Sequence, residues 1–114
     1  MIGEIATASW LDREARRVLD FPRPPFPPAG GAYWLDDDGR PRTDLPVHTW
    51  ITARTVYVYA LAHLAGVSDA GARAEVALRG LAGPLRDGVH GGWLEAAPGE
   101  SGDKTAYALS LIHI

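Results

Sequence analysis

The stretch VHTWITARTVYVYALAHLAG, residues 47–66, carries one formally charged side chain, Arg54. Its apolar residues do not form a stripe. At 3.6 residues per turn Trp50, Tyr57, Val58, Leu61 and Ala65 share a side with Arg54, while Val47, Ile51, Tyr59 and Ala62 occupy the others, so no face is built for water. Such a helix is packed on several sides. The pattern predicts that it starts near Thr43 or Asp44, with Pro46 in its first turn, and stops before Gly66. An arginine left unpaired among apolar neighbours costs several kcal/mol, so Arg54 needs an acid from elsewhere in the fold, water in a cavity, or a ligand.

The stretch is long enough to span a bilayer, but a central Arg costs about 2.5–3.5 kcal/mol on insertion scales. His48, His63 and the threonines add to that, so no membrane helix is expected. The beginning, MIGEIATASW, lacks a basic segment followed by an apolar one, and no export signal is expected. The absence of cysteine excludes disulfides, thiolate zinc sites and a cysteine nucleophile, and the expected compartment is the cytoplasm. With a net charge of −3 and basic residues concentrated only in DREARR, residues 12–17, no nucleic-acid partner is expected.

At 114 residues the chain has the size of one domain or part of one. Residues 5–20 read as a surface helix with Ile5, Trp10, Leu11, Ala15, Val18 and Leu19 inward, and Asp12 four before Arg16 in the favourable order for an ion pair. Five prolines between 22 and 28 stop it and make a stiff extended loop. Residues 32–35 predict a short strand, Asp37-Asp38-Gly39 a tight turn, and the chain returns to Arg42. After the long helix, Ser68 is expected to cap a third one running to Leu81, with Ala70, Ala74, Ala77, Leu78 and Leu81 inward, ended by Gly83-Pro84. The glycine-rich remainder predicts a loop with a second hairpin whose strand is residues 93–97.

Several chemistries fail on spacing. A calcium loop beginning at Asp36 would need Gly and an acid where Pro41 and Val47 stand. There is no GxGxxG and no Walker lysine loop, so no nucleotide cofactor is expected. No two of His48, His63 and His90 are three or four apart, so no metal site is expected either.

Four segments in order are more specific than any one alone: W…LDF.R….P.GG..WLDDDGRP, WITAR…VYALAHLAG, G..GPLRD..HGGW and DKTAY. Together, from about Trp10 to Ala108, they resemble the N-acylglucosamine 2-epimerase superfamily, in particular its mannose isomerase-like aldose–ketose isomerases. The resemblance implies a mainly α fold, the first helices of an (α/α)6 toroid with short β-hairpins in the connecting loops. Its inner helices surround a sugar pocket, and the uniformly apolar helix fits an inner place.

By that resemblance Arg54 is the pocket arginine of a WxxxR turn, holding sugar oxygens and the developing enediolate. Trp50, one turn earlier, borders the sugar, and Tyr107 reaches the pocket. The structural alternatives are a core Trp50, an Arg54 paired with an acid on a neighbouring helix, and a core Tyr107 with a satisfied hydroxyl. Tyr57 departs from the pattern, since many relatives carry His there. His90 reads as a turn residue. The implied reaction moves a proton between adjacent carbons of an open-chain monosaccharide, with general acid and base histidines on later helices, so residues 1–108 are expected to hold binding residues without turnover. Residues 109–114, LSLIHI, depart from the relatives, and one codon choice for them spells a transposase adapter end; they are expected to be translated adapter. A glycoside hydrolase on a similar toroid would need two carboxylates flanking the sugar, and the long helix has none; a non-catalytic helical interaction module would need no pocket.

Overall fold

A computed structural model describes residues 7–97, 104 and 106–112, with the backbone alone for 106–108. Among these residues the order is α1 (Ala8–Leu19), β1 (Val47–His48), α2 (Thr49–Leu64), α3 (Ala70–Ala82), β2 (Ala96–Ala97) and α4 (Ala106–Ile112). The described residues are mainly α, as expected, with one two-stranded sheet among them. No helix among the described residues is long and apolar enough to cross a membrane.

Helix α1 begins where Thr7 accepts a hydrogen bond from the Trp10 backbone N–H (3.2 Å) and ends with Arg16 and Arg17 in its last turn, where cations suit the helix dipole. The Asp12–Arg16 pair forms at 3.1 Å on the surface, adding only a few tenths of a kcal/mol. The predicted inward stripe is corrected. No residue of α1 is buried, Leu11 and Val18 are 56% and 60% exposed, and Leu19 alone of the described stripe packs on a buried cluster. Ile5 lies outside the described residues. The proline loop that follows is tied back by Arg23, whose N–H donates to Gly39 O (2.8 Å) and whose Nε donates to Asp38 O (3.0 Å).

The first turn forms as expected and for the expected reason: Gly39 has φ +80. Asp36 Oδ1 accepts from the Asp38 and Arg40 backbone N–H groups at 2.8 and 2.9 Å. The flanking strands shrink to one bridge, Leu35 with Pro41.

Two boundaries are corrected. Helix α2 starts at Thr49 rather than Thr43 or Asp44, because Val47 and His48 are extended and pair antiparallel with Ala97 and Ala96. Thr49 is fully buried and anchors the junction, donating its N–H to Glu95 O (2.9 Å) and its Oγ1–H to Leu94 O (2.5 Å). A helix beginning at Thr43 would forfeit these bonds. The second hairpin forms around the turn at 87–92, closed by the Arg86–Trp93 bridge, with Asp87 N–H donating to Gly92 O (2.9 Å) and Leu94 N–H to Leu85 O (2.8 Å). Its strand is shorter than residues 93–97, since Ala96 and Ala97 pair with β1 instead. Ser68 likewise does not cap α3: Asp69 takes that place with φ +66 and no side-chain cap bond.

The long helix packs along α3 and α4, and two buried clusters result. Val47, Ala53, Leu81, Leu85 and Ala97 form one, covered by Tyr33, Val56, Trp93, Leu111 and Ile112. Tyr59, Ala62 and Ala70 form the other, and the Tyr59 hydroxyl donates to Leu19 O. Helix α3 turns Ala70, Ala77, Gly80 and Leu81 inward, while Leu78, expected inside, is 50% exposed. Gly80 takes its share of the contact because residues 30 and 31 pass backbone-to-backbone across it, with Gly31 N–H donating to Val76 O (2.9 Å).

Candidate functional site

Coverage of α2 is one-sided. Thr49, Thr52, Ala53, Tyr59 and Ala62 are buried, whereas Arg54 is exposed beside Tyr57, Val58 and Leu61, which are 46%, 45% and 49% exposed. The expectation of an arginine surrounded by apolar neighbours is thus corrected: α3, α4 and the sheet cover other sides of the helix. The burial cost that demanded a partner does not arise in this chain. What remains is an apolar face with one guanidinium in it.

Trp50 and Arg54 are brought together as the four-residue spacing requires, with Arg54 Cζ 5.7 Å from the Trp50 ring centroid. Trp50 is half-buried. Trp34 stands edge-on to it at 5.3 Å and 82°, and edge-on to His48 at 5.5 Å and 86°. These are the favourable T-shaped geometries for aromatic quadrupoles. The result is a continuous row, His48, Trp34, Trp50, Arg54, at the start of α2. Sequence reasoning missed Trp34 and His48, because their contacts join residues separated by the whole turn at 36–39. Beside Trp34 and Trp50 opens an apolar cavity of about 290 Å³, bounded also by Tyr33, Ile51, Tyr59 and Arg73. The Arg73 guanidinium lines it, stacked 4.1 Å from the Phe26 ring and 4.6 Å from the Tyr59 ring.

Tyr107 lies in α4, which packs against α2. Its side chain falls outside the described residues.

The loop after α3 is organised by a carboxylate that sequence reasoning passed over. Asp87, 7% exposed, accepts from the Val89 and His90 N–H groups through Oδ1 at 3.0 and 2.9 Å. Its Oδ2 meets Lys104 Nζ at 2.7 Å, and Lys104 also donates to Gly91 O at 2.8 Å. His90 is a turn residue, as expected. Two separate motifs, GPLRD..HGGW and DKTAY, are joined by this one ion pair.

The His90 backbone N–H, then Lys104, hold the Asp87 carboxyl well below the usual carboxylate range. A depressed folded pKa stabilises the fold in full above the unfolded value, near 4, and that stability is lost as pH falls toward the folded value. Asp36 and Asp44 are shifted the same way, by the Arg40 N–H and the Arg42 guanidinium respectively. Urea midpoints are therefore expected to fall as pH is lowered from about 5 to about 3. They should fall less steeply in Asp87→Asn, which keeps the Oδ1 acceptor for the loop but loses the charge facing Lys104. Equal slopes in the two proteins would remove Asp87 from this account.

Residues 30–112 match the model of the family described as N-acylglucosamine 2-epimerase (GlcNAc 2-epimerase). The chain is 52% identical over 91 residues to a D-mannose isomerase of Thermobifida fusca, a match covering 80% of this chain and 22% of the relative. It is 37% identical over 105 residues to a D-mannose isomerase of Pseudomonas cannabina pv. alisalensis, covering 90% of this chain and 25% of that relative. The chain thus spans about a quarter or less of the length of these curated relatives.

Proposed function

Because this chain belongs to the N-acylglucosamine 2-epimerase family, we propose that it supplies the first helices and part of the sugar site of an aldose–ketose isomerase acting on a mannose-like monosaccharide. The observation that carries the reading is the pairing of Trp50 with Arg54 on the exposed side of α2, in a chain 52% identical to a D-mannose isomerase. In this reading α2 is an inner helix of an (α/α)6 ring. The apolar residues around Arg54 that lie open here then face the pocket and neighbouring inner helices.

The chemistry assigns each residue a part. The open-chain aldose loses its C2 proton to a general base, negative charge spreads over the O1–C1–C2–O2 enediolate, and a proton returned to C1 gives the ketose. Arg54 holds the oxygen on which that charge develops, an interaction stronger in the transition state than in the ground state. The Trp50 ring offers its face to the C–H side of the sugar, and Tyr107 adds a hydroxyl from α4. The acid and base are histidines on later helices, so the chain alone binds without turnover. Oxidation at C2 balances reduction at C1 within the sugar itself, so no electron carrier enters the step.

The test is fructose formation from mannose by the complete purified protein, followed by a ketose-specific assay. Steady turnover is expected, with none from residues 1–114 alone. A complete protein inert toward mannose and its epimers would overturn the reading.

A further inference from the structure

Trp93 shows how this fold treats a tryptophan that serves packing. Its ring covers the first cluster and its Nε1–H donates to Leu81 O at 2.8 Å. Trp34 is treated differently. It is half-buried and held edge-on by two rings, yet among the described residues its indole N–H has no acceptor. His48 is the same: half-buried, at the N-cap position of α2, it makes no side-chain cap bond. Among the described residues its two ring nitrogens have no hydrogen-bond partner.

Among the described residues no buried side-chain nitrogen or oxygen lacks a partner, so the Trp34 and His48 nitrogens are open to water rather than sealed in the core. Polar groups in such places are satisfied by water that a ligand can replace. Both handles lie in the row that contains Trp50 and Arg54. A ring face flanked by a few fixed donors and acceptors is the arrangement that recognises a pyranose or its open chain: aromatic carbon meets C–H groups, and each donor or acceptor meets one hydroxyl.

We propose that His48 and Trp34 are specificity-determining contacts of the sugar site, each reading one hydroxyl remote from C1 and C2. His48 uses a ring nitrogen as donor or acceptor, and Trp34 uses its indole N–H. The proposal rests on the sugar-site reading of Trp50 and Arg54, and adds to it where selectivity among monosaccharides arises.

The test compares the complete protein with His48→Ala and Trp34→Phe, using mannose and a set of analogues that each lack one hydroxyl remote from the reacting carbons. Removing one neutral hydrogen bond lowers kcat/KM about 3- to 10-fold, and each variant is expected to show that loss with mannose. The discriminating result is coupling. One analogue that reacts poorly with the unaltered protein should lose nothing further with His48→Ala, and another should lose nothing further with Trp34→Phe. The Trp34→Phe change keeps an edge-on ring, and His48→Gln, which keeps a polar handle, should recover part of the loss. Penalties that simply multiply across every analogue, or kcat/KM equal to that of the unaltered protein, would overturn the inference while leaving the isomerase reading intact. An unaltered protein that turns over no mannose would overturn both.

Discussion

Replacing Arg54 by alanine in the complete protein is expected to lower kcat/KM for mannose about 100- to 1,000-fold, the loss typical when one donor to a developing oxyanion is removed. Its position makes the experiment informative. Arg54 is exposed in this chain, and in the sugar-site reading it opens onto the pocket of the complete protein, so its removal takes away a substrate contact rather than core packing and is expected to change stability little. The urea midpoint should therefore stay nearly constant while turnover collapses, a combination that a structural arginine would not give. Arg54→Lys is expected to restore little, because a point charge on a flexible stem does not reproduce a planar fork of N–H donors. Full activity in Arg54→Ala would remove this residue from the chemistry.

The largest loss of stability is expected where residues 30 and 31 cross α3. A Cβ on Gly80 would stand 2.5 Å from both N and Cα of Gly31, and a Cβ on Gly30 would stand 2.5 Å from Gly80 N. These are backbone atoms fixed by the Gly31 to Val76 bond, so neither partner yields easily. Gly80→Ala should cost about 1–3 kcal/mol, the usual range for overpacking. Gly30→Ala should cost more, because at φ +97 an L side chain adds strain of order 1–3 kcal/mol. Gly88→Ala is the control: nothing lies within 4 Å of its Cβ position, and it should be neutral or slightly stabilising. Chemical denaturation of the complete protein gives the comparison. Equal midpoints for Gly80→Ala and Gly88→Ala would mean that the loop does not dock on α3 as described.

Sequence pattern reached those parts of the fold whose cause is local. The helical period placed α1 and α3 to within a few residues, the prolines after residue 21 ended α1, and Asp-Gly located the turn that Gly39 makes at positive φ. The start of α2 was not legible, because a two-residue strand has no period and its partners, Ala97 for Val47 and Ala96 for His48, lie far along the chain. Nor does a helix that is apolar all round say which of its sides this stretch of chain will cover, so the exposure of Arg54 could not be read. Trp50 and Arg54 followed from spacing on one helix. Trp34 and His48 did not, since their contact with that pair arises from tertiary docking of a loop. The crossing at Gly80 was hidden for a similar reason: glycine in a helix reads as a weakness until the backbone lying against it is known.

The ion pair between Asp87 and Lys104 has a consequence for how the chain tolerates variation. Ala97 is fastened by the sheet and Lys104 by the buried carboxylate, so the entry to α4 is set by two anchorages. Residues 98–103 lie between the two in sequence. Doubling a connector adds only about 0.6 kcal/mol of closure entropy. Insertions between positions 97 and 104 are therefore expected to cost little while both anchorages hold, whereas breaking the Asp87–Lys104 pair should make the same insertions more costly.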